Sequence, residues 1–213
     1  MSWFTRFTRF GDGHLVYGQE NVNSCGIACV MMCVFKVNKL EPSKTAFHTE
    51  QEIYKVYSDV AKVNYDGSAY SDARMLAQAL NKLNCGKWSA DYVTAGGVAD
   101  AIVGSVGTDI VGMGPLANSL MRGYPIIVLV GWNEGGAHFV VVDTVNDFLG
   151  NLYASVCDPA DADVHITSFE KGKTFNYIGA KSRWTFDFTS GNRGSYSKPT
   201  PGVTNGWVVR RVD

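Results

Sequence analysis

The run Cys25-Gly-Ile-Ala-Cys-Val-Met-Met-Cys-Val-Phe35 constrains this chain most, because it carries no charge, no proline and only one early glycine. A segment apolar on all sides has to be buried. It follows turn-forming Asn21, Asn23 and Ser24, a helix-capping signal. Length and cap therefore predict a buried helix beginning near Ser24, although periodicity alone leaves a strand open. A membrane-spanning helix needs about 18 or more apolar residues, and the most apolar run, Pro125 to Trp132, is far shorter. No membrane partner is expected.

The remaining composition is that of an ordinary globular protein: 213 residues, net charge −1, 46% apolar and 18% charged. That length suits one body with two lobes around a shared cleft. Near-neutral charge argues against nucleic acid as the main partner, since neutralising a phosphate backbone needs a net basic face. From Lys181 to Asp213 there is a local excess of cations, Lys181, Arg183, Arg193, Lys198, Arg210 and Arg211 against Asp187 and Asp213, read as a solvated face. Five cysteines, three of them at Cys25, Cys29 and Cys33, argue against a disulfide framework and for free thiols. The opening residues interleave Arg6 and Arg9 with aromatics, so no conventional signal peptide is visible. The expectation is a cytoplasmic product that reaches any target cell by a specialised export route.

Helical spacing recurs in Thr49 to Val63 and in Ser71 to Leu83, the second behind a Ser71-Asp72 cap and ended by Asn84-Cys85-Gly86. The glycine-rich stretch from Ala95 to Pro115 lacks both the phosphate-loop ending and a complete dinucleotide fingerprint, so neither nucleotide nor other cofactor is expected. After a short helix to about Arg122 the period changes to that of strands: Ile126 to Val130, Ala137 to Asp143, Leu152 to Val156, Val164 to Phe169 and Trp207 to Arg210. Helices first and strands second predict an α+β fold.

Cys25 sits where a helix dipole and first-turn N–H groups stabilise thiolate, which makes it a candidate nucleophile. Cys29 and Cys33 read as core residues, and the ladder lacks the paired spacing of a zinc site, so no metal is expected. A nucleophile needs a base. Of the four histidines, His14, His48, His138 and His165, the best placed is His138, behind Gly135-Gly136 and at the start of a buried strand. Asp158, at the end of the next strand, is the candidate orienter, with Asp161 and Asp163 as alternative carboxylates and His165 as an alternative base. The Gln19 amide is a candidate oxyanion donor together with the Cys25 N–H. Trp88, Trp132 and Tyr124 are candidate walls of a narrow cleft, or else core aromatics.

The ordered blocks Gln19-x5-Cys25-Gly-Ile-Ala28, Gly123-x-Pro125-Ile-Ile-Val-Leu-Val, Gly136-Ala-His138-Phe-Val-Val-Val and Cys157-Asp158-Pro159 resemble papain-like cysteine proteases. The resemblance is closest to double-glycine peptidases of the bacteriocin-leader type and to free-standing bacterial papain-like effector proteases. It implies a single catalytic domain over 1–213, with a mainly helical lobe over about 1–122 and a mainly antiparallel β lobe over about 123–213. It implies Cys25 as nucleophile, His138 as general base and acid, Asp158 as orienter and Gln19 as oxyanion donor. The implied function is endopeptidase cleavage of a protein or peptide substrate after Gly-Gly or Gly-Ala, in a delivered effector or toxin whose producer carries a neutralising immunity protein. An amidase, deamidase or acyltransferase would use the same residues, and an inactive binding module is the non-enzymatic alternative. Residues after Pro159 match no motif of the family.

Overall fold

The computed structural model describes residues 3–8, 10–40, 48–93, 116, 119–120, 122–149, 151–169, 176–178, 185–186 and 201–213. Helix α1 runs from Cys25 to Leu40, as the apolar run predicts, and is buried on nearly every side through its first ten residues. Helix α2, Glu50–Ala61, starts at a capping box in which Thr49 Oγ1 accepts from Glu52 N and Glu52 Oε2 accepts from Thr49 N. Helix α3, Ala73–Lys82, is capped by Asp72, whose Oδ1 accepts from Arg74 N at 2.8 Å and Met75 N at 3.2 Å. Beyond it both Asn84 and the expected Gly86 take the left-handed conformation.

The strands are β1 Trp3–Thr8, β2 Gly13–Tyr17, β3 Trp88–Tyr92, β4 Ile126–Trp132, β5 Ala137–Phe148, β6 Asn151–Asp158, β7 Asp163–Phe169, β8 Asn176–Ile178, β9 Thr185–Phe186 and β10 Pro201–Arg211. A seven-stranded antiparallel sheet runs β3-β10-β4-β5-β6-β7, with β8 paired to β10, and a three-stranded sheet runs β2-β1-β9. The fold is α+β with a large antiparallel sheet, as the order of periods predicts. Strands β1, β2 and β3 lie in the part expected to be mainly helical, and β3 joins the large sheet beside β10.

Strand alternation sorts the sheet residues between two cores. Ile127, Phe139, Val141, Cys157 and Val209 meet Ile27, Val30, Ile53, Leu76 and Leu80 of the helices, while Val128, Val140, Val142, Val156 and Val208 gather with Leu116 in a second cluster. Each fully buried Ile, Leu or Val contributes about 1.5–3 kcal/mol, so the helix-facing core fixes α1 against β5 firmly.

The cation-rich segment is not the solvated face expected, where it is described. Arg210 Nε donates to Asp91 Oδ2 at 2.8 Å, and Arg211 is buried over the Tyr124 ring, 4.0 Å from its centroid. The glycine-rich stretch from Ala95 to Pro115 and most of the helix expected after it lie outside the described residues, although Leu116, Ser119 and Leu120 are helical.

Candidate active site

Antiparallel pairing brings the beginning of β5 and the end of β6 to one end of the sheet. Val141 pairs with Cys157, so Asp158 lies one step further toward His138. The β4–β5 connection turns at Asn133-Glu134-Gly135-Gly136, and both glycines need positive φ, 93° each, to let Trp132 N reach Gly136 O at 3.1 Å. That turn presents His138 as the second residue of a strand whose next residues are locked in the core. Helix α1 delivers Cys25 as its first residue, and the Phe139 N–H donates to its Sγ at 3.5 Å. Gly26 allows this approach: a Cβ there would stand 2.1 Å from Ser71 Oγ, 3.0 Å from Leu76 Cδ1 and 3.2 Å from Phe139 Cδ2.

Cys25, His138 and Asp158 are therefore together. His138 Nε2 bonds Asp158 Oδ1 at 2.6 Å, and Cys25 is near enough to the imidazole to favour its protonated form. Burial pushes the imidazole down, but the Asp158 charge and hydrogen bond, with Cys25 adding to them, hold it up at about 10. Asp158 Oδ1 also accepts from Ala160 N at 2.7 Å, which fixes the carboxylate at the head of its turn. Trp132 stacks on the His138 ring with centroids 5.6 Å apart and planes 19° apart. Of the three aromatics considered as cleft walls, this one stands at the site. Trp88 is buried with Nε1 donating to Cys85 O, and Tyr124 lies under Arg211.

The alternative residues have other partners. His165 Nε2 bonds Asp161 at 2.9 Å, and Arg6 Nε lies 3.3 Å from Asp163 and donates to Ala162 O at 2.9 Å. Burial, reinforced by the Asp158 charge, raises the Asp161 carboxyl above its usual range despite the His165 bond. This buried set braces the turn after Asp158. His14 Nδ1 bonds Asp143 Oδ2 at 2.6 Å, and Lys36 Nζ donates to Asp143 Oδ1 at 2.9 Å. Burial would raise the Asp143 carboxyl, but the His14 hydrogen bond and the Lys36 charge outweigh it and hold it below the usual range.

Gln19 reaches the loop that leads into Cys25 but does not display a free amide. Its Nε2 donates to Asn21 O at 2.7 Å and Val22 O at 3.0 Å, while Oε1 is buried with no partner among the described residues. Donation to an oxyanion would require the amide to turn away from those carbonyls. The same loop is held by residues that sequence reasoning passed over. Tyr65 OH donates to Asn23 O at 3.0 Å, Asn21 Nδ2 donates to Tyr54 OH at 2.7 Å, and Tyr54 OH donates to buried Glu50 at 2.6 Å. Tyr54 lies on α2 and Tyr65 in the segment after it, both buried, and only the position of their hydroxyls reveals the second role. Cys29, Cys33 and Cys157 are buried with thiols pushed well up by that burial, in keeping with core roles for the first two. No protein-family model and no curated protein matches the chain, which leaves the geometry of Cys25, His138 and Asp158 to carry the functional reading.

Proposed function

We propose that the chain is a papain-like cysteine endopeptidase, with α1–α3 as the lobe that carries the nucleophile and the large sheet as the lobe that carries the base. The observation that supports this most is His138, bonded through Nε2 to Asp158 at 2.6 Å on the strand whose next residue, Phe139, donates its N–H at 3.5 Å to the sulfur of Cys25, the first residue of a buried helix. Nucleophile, base and orienter are then in the order that thiol acylation requires.

His138, held up at about 10, already carries the proton at neutral pH, so Cys25 attacks the peptide carbonyl carbon as the thiolate partner of an imidazolium, and the oxyanion forms near the α1 N-terminus, where dipole and N–H groups favour negative charge. Collapse of the tetrahedral intermediate breaks the C–N bond, and His138 gives the proton to the leaving amine. Water, deprotonated by His138, then hydrolyses the thioester. An imidazole held up at about 10 retains the proton between these transfers. Trp132 on the His138 ring narrows access and favours small residues before the cut, Gly-Gly above all.

The test is mass spectrometry of peptides that contain Gly-Gly, Gly-Ala or Val-Phe sites, after incubation with wild type and Cys25→Ala. Cleavage after Gly-Gly by wild type alone is expected. Turnover of glutamine side chains or muropeptides without peptide cleavage would replace the endopeptidase with an amidase or acyltransferase.

A further inference from the structure

Glu50 is the first residue of α2, is 1% exposed, and takes no part in the proposed proton transfers. A carboxylate so buried is costly unless its oxygens are hydrogen-bonded, and burial pushes this one up from its usual range against the pull of the Tyr54 hydroxyl. Its position gives it a hold on the segment that leads into Cys25. Oε2 accepts from the Glu20 N–H at 3.2 Å and Oε1 from Tyr54 OH at 2.6 Å, and that hydroxyl in turn accepts from Asn21 Nδ2 at 2.7 Å.

The links on either side show what is held. Gln19 N donates to Pro159 O at 2.9 Å, beside Asp158 in sequence. Asn21 N donates to Ser24 Oγ at 3.1 Å, beside Cys25 in sequence, and the Gln19 amide donates to Asn21 O and Val22 O. Glu50 therefore grips the middle of a bridge that runs from the Asp158 turn to the start of α1 and carries the Gln19 amide. Only a carboxylate suits both of its partners. A glutamine would turn its NH2 either on the Glu20 N–H, donor against donor, or on Tyr54 OH, which already accepts from Asn21 and would lose the acceptor for its own hydrogen.

We propose that Glu50 is a positioning residue for oxyanion stabilisation: by fixing Glu20 and Asn21 it sets the place of the Gln19 amide and the Cys25 N–H relative to the substrate carbonyl. The inference rests on the peptidase reading, and it separates two steps at Cys25. Alkylation by iodoacetamide needs the thiolate but forms no oxyanion, whereas peptide acylation needs both. Wild type, Glu50→Gln and Tyr54→Phe are compared by steady-state cleavage of a Gly-Gly peptide and by the rate at which iodoacetamide alkylates Cys25. In Glu50→Gln, kcat and kcat/KM are expected to fall together by about tenfold to a hundredfold, with alkylation within about twofold of wild type. Tyr54→Phe keeps the ring and removes the link between Glu50 and Asn21, so it should show the same split with a smaller loss, and it decides the matter if Glu50→Gln does not fold. Unchanged kcat in the folded variants, or alkylation that slows in step with kcat, would overturn the proposal and leave Glu50 a role in the fold alone. A wild type that is alkylated at Cys25 yet cleaves no peptide would overturn the peptidase reading, and this role with it.

Discussion

Replacing Asp158 with Asn preserves shape beside His138 and removes only charge, and it should change the sign of one part of the stability–pH profile. In the folded wild type, burial lowers the imidazole, but Asp158 and Cys25 hold it at about 10. In the unfolded chain it titrates near its ordinary value of about 6.5. A pKa raised on folding contributes stability that is fully present below about pH 6.5 and is lost as pH rises to about 10. That gap of about 3.5 units, at about 1.4 kcal/mol each, corresponds to about 5 kcal/mol across the window. In Asp158→Asn the imidazole stays buried without the facing charge, so His138 falls below about 6.5 and stability is lost instead as pH drops below that value. The assay is urea unfolding followed by circular dichroism at pH steps from about 5.5 to 10, with free energies by linear extrapolation. The buried thiols of Cys29, Cys33 and Cys157 also lower stability at high pH; the Asp158 charge adds to this at Cys29 and Cys157, but burial is the largest cause at all three, so most of that loss is common to both proteins. The difference curve therefore isolates the pair. A flat difference across pH 6.5–10 would refute the ion-pair reasoning.

Limiting iodoacetamide at neutral pH should modify Cys25 before Cys29, Cys33, Cys85 or Cys157, read by peptide mapping; equal labelling of several thiols would dismiss Cys25 as the nucleophile. Gln19→Ala should lower kcat about a hundredfold if the amide turns to the oxyanion, whereas a loss below about tenfold would confine it to holding the Asn21 and Val22 carbonyls. Gly26→Ala should destabilise the fold by about 1–3 kcal/mol through overpacking, with Ser71→Ala recovering part of the loss because it removes the nearest atom, at 2.1 Å; denaturation midpoints of the single and double variants decide this.

The three helices and β4 to β7 were legible because their apolar residues follow one period and their caps are local. The β1–β2 hairpin was not, since the side of β1 that turns inward buries Arg6 and Thr8 instead of apolar residues. Arg6 belongs there only because Ala162 and Asp163, far along the chain, receive it. Strand β3, Trp-Ser-Ala-Asp-Tyr, is an edge strand with a weak apolar pattern and acquires its identity from β10. At the site, Cys25, His138 and Asp158 stand out by local context: a capped apolar helix, a glycine turn before a strand, and an Asp-Pro strand end. The commitment of the Gln19 amide to carbonyls, and the pairing of His14 with Asp143, depend on tertiary distances that no local spacing encodes.

Strand β10, last in sequence among the described strands, lies between β3 and β4 inside the large sheet. The contacts that assemble the site are as distant: Cys25 to Phe139 spans 114 positions, and Arg6 to Ala162 spans 156. Such long loops must close before their contacts reward them, so folding is slow and late. During synthesis the ribosome delivers Cys25, His138 and Asp158 well before β10 can complete the sheet that holds two of them. On the proposed reading, a nascent chain carries the Cys25 thiol for a long interval without the complete sheet that aims His138, and peptidase activity follows the insertion of β10.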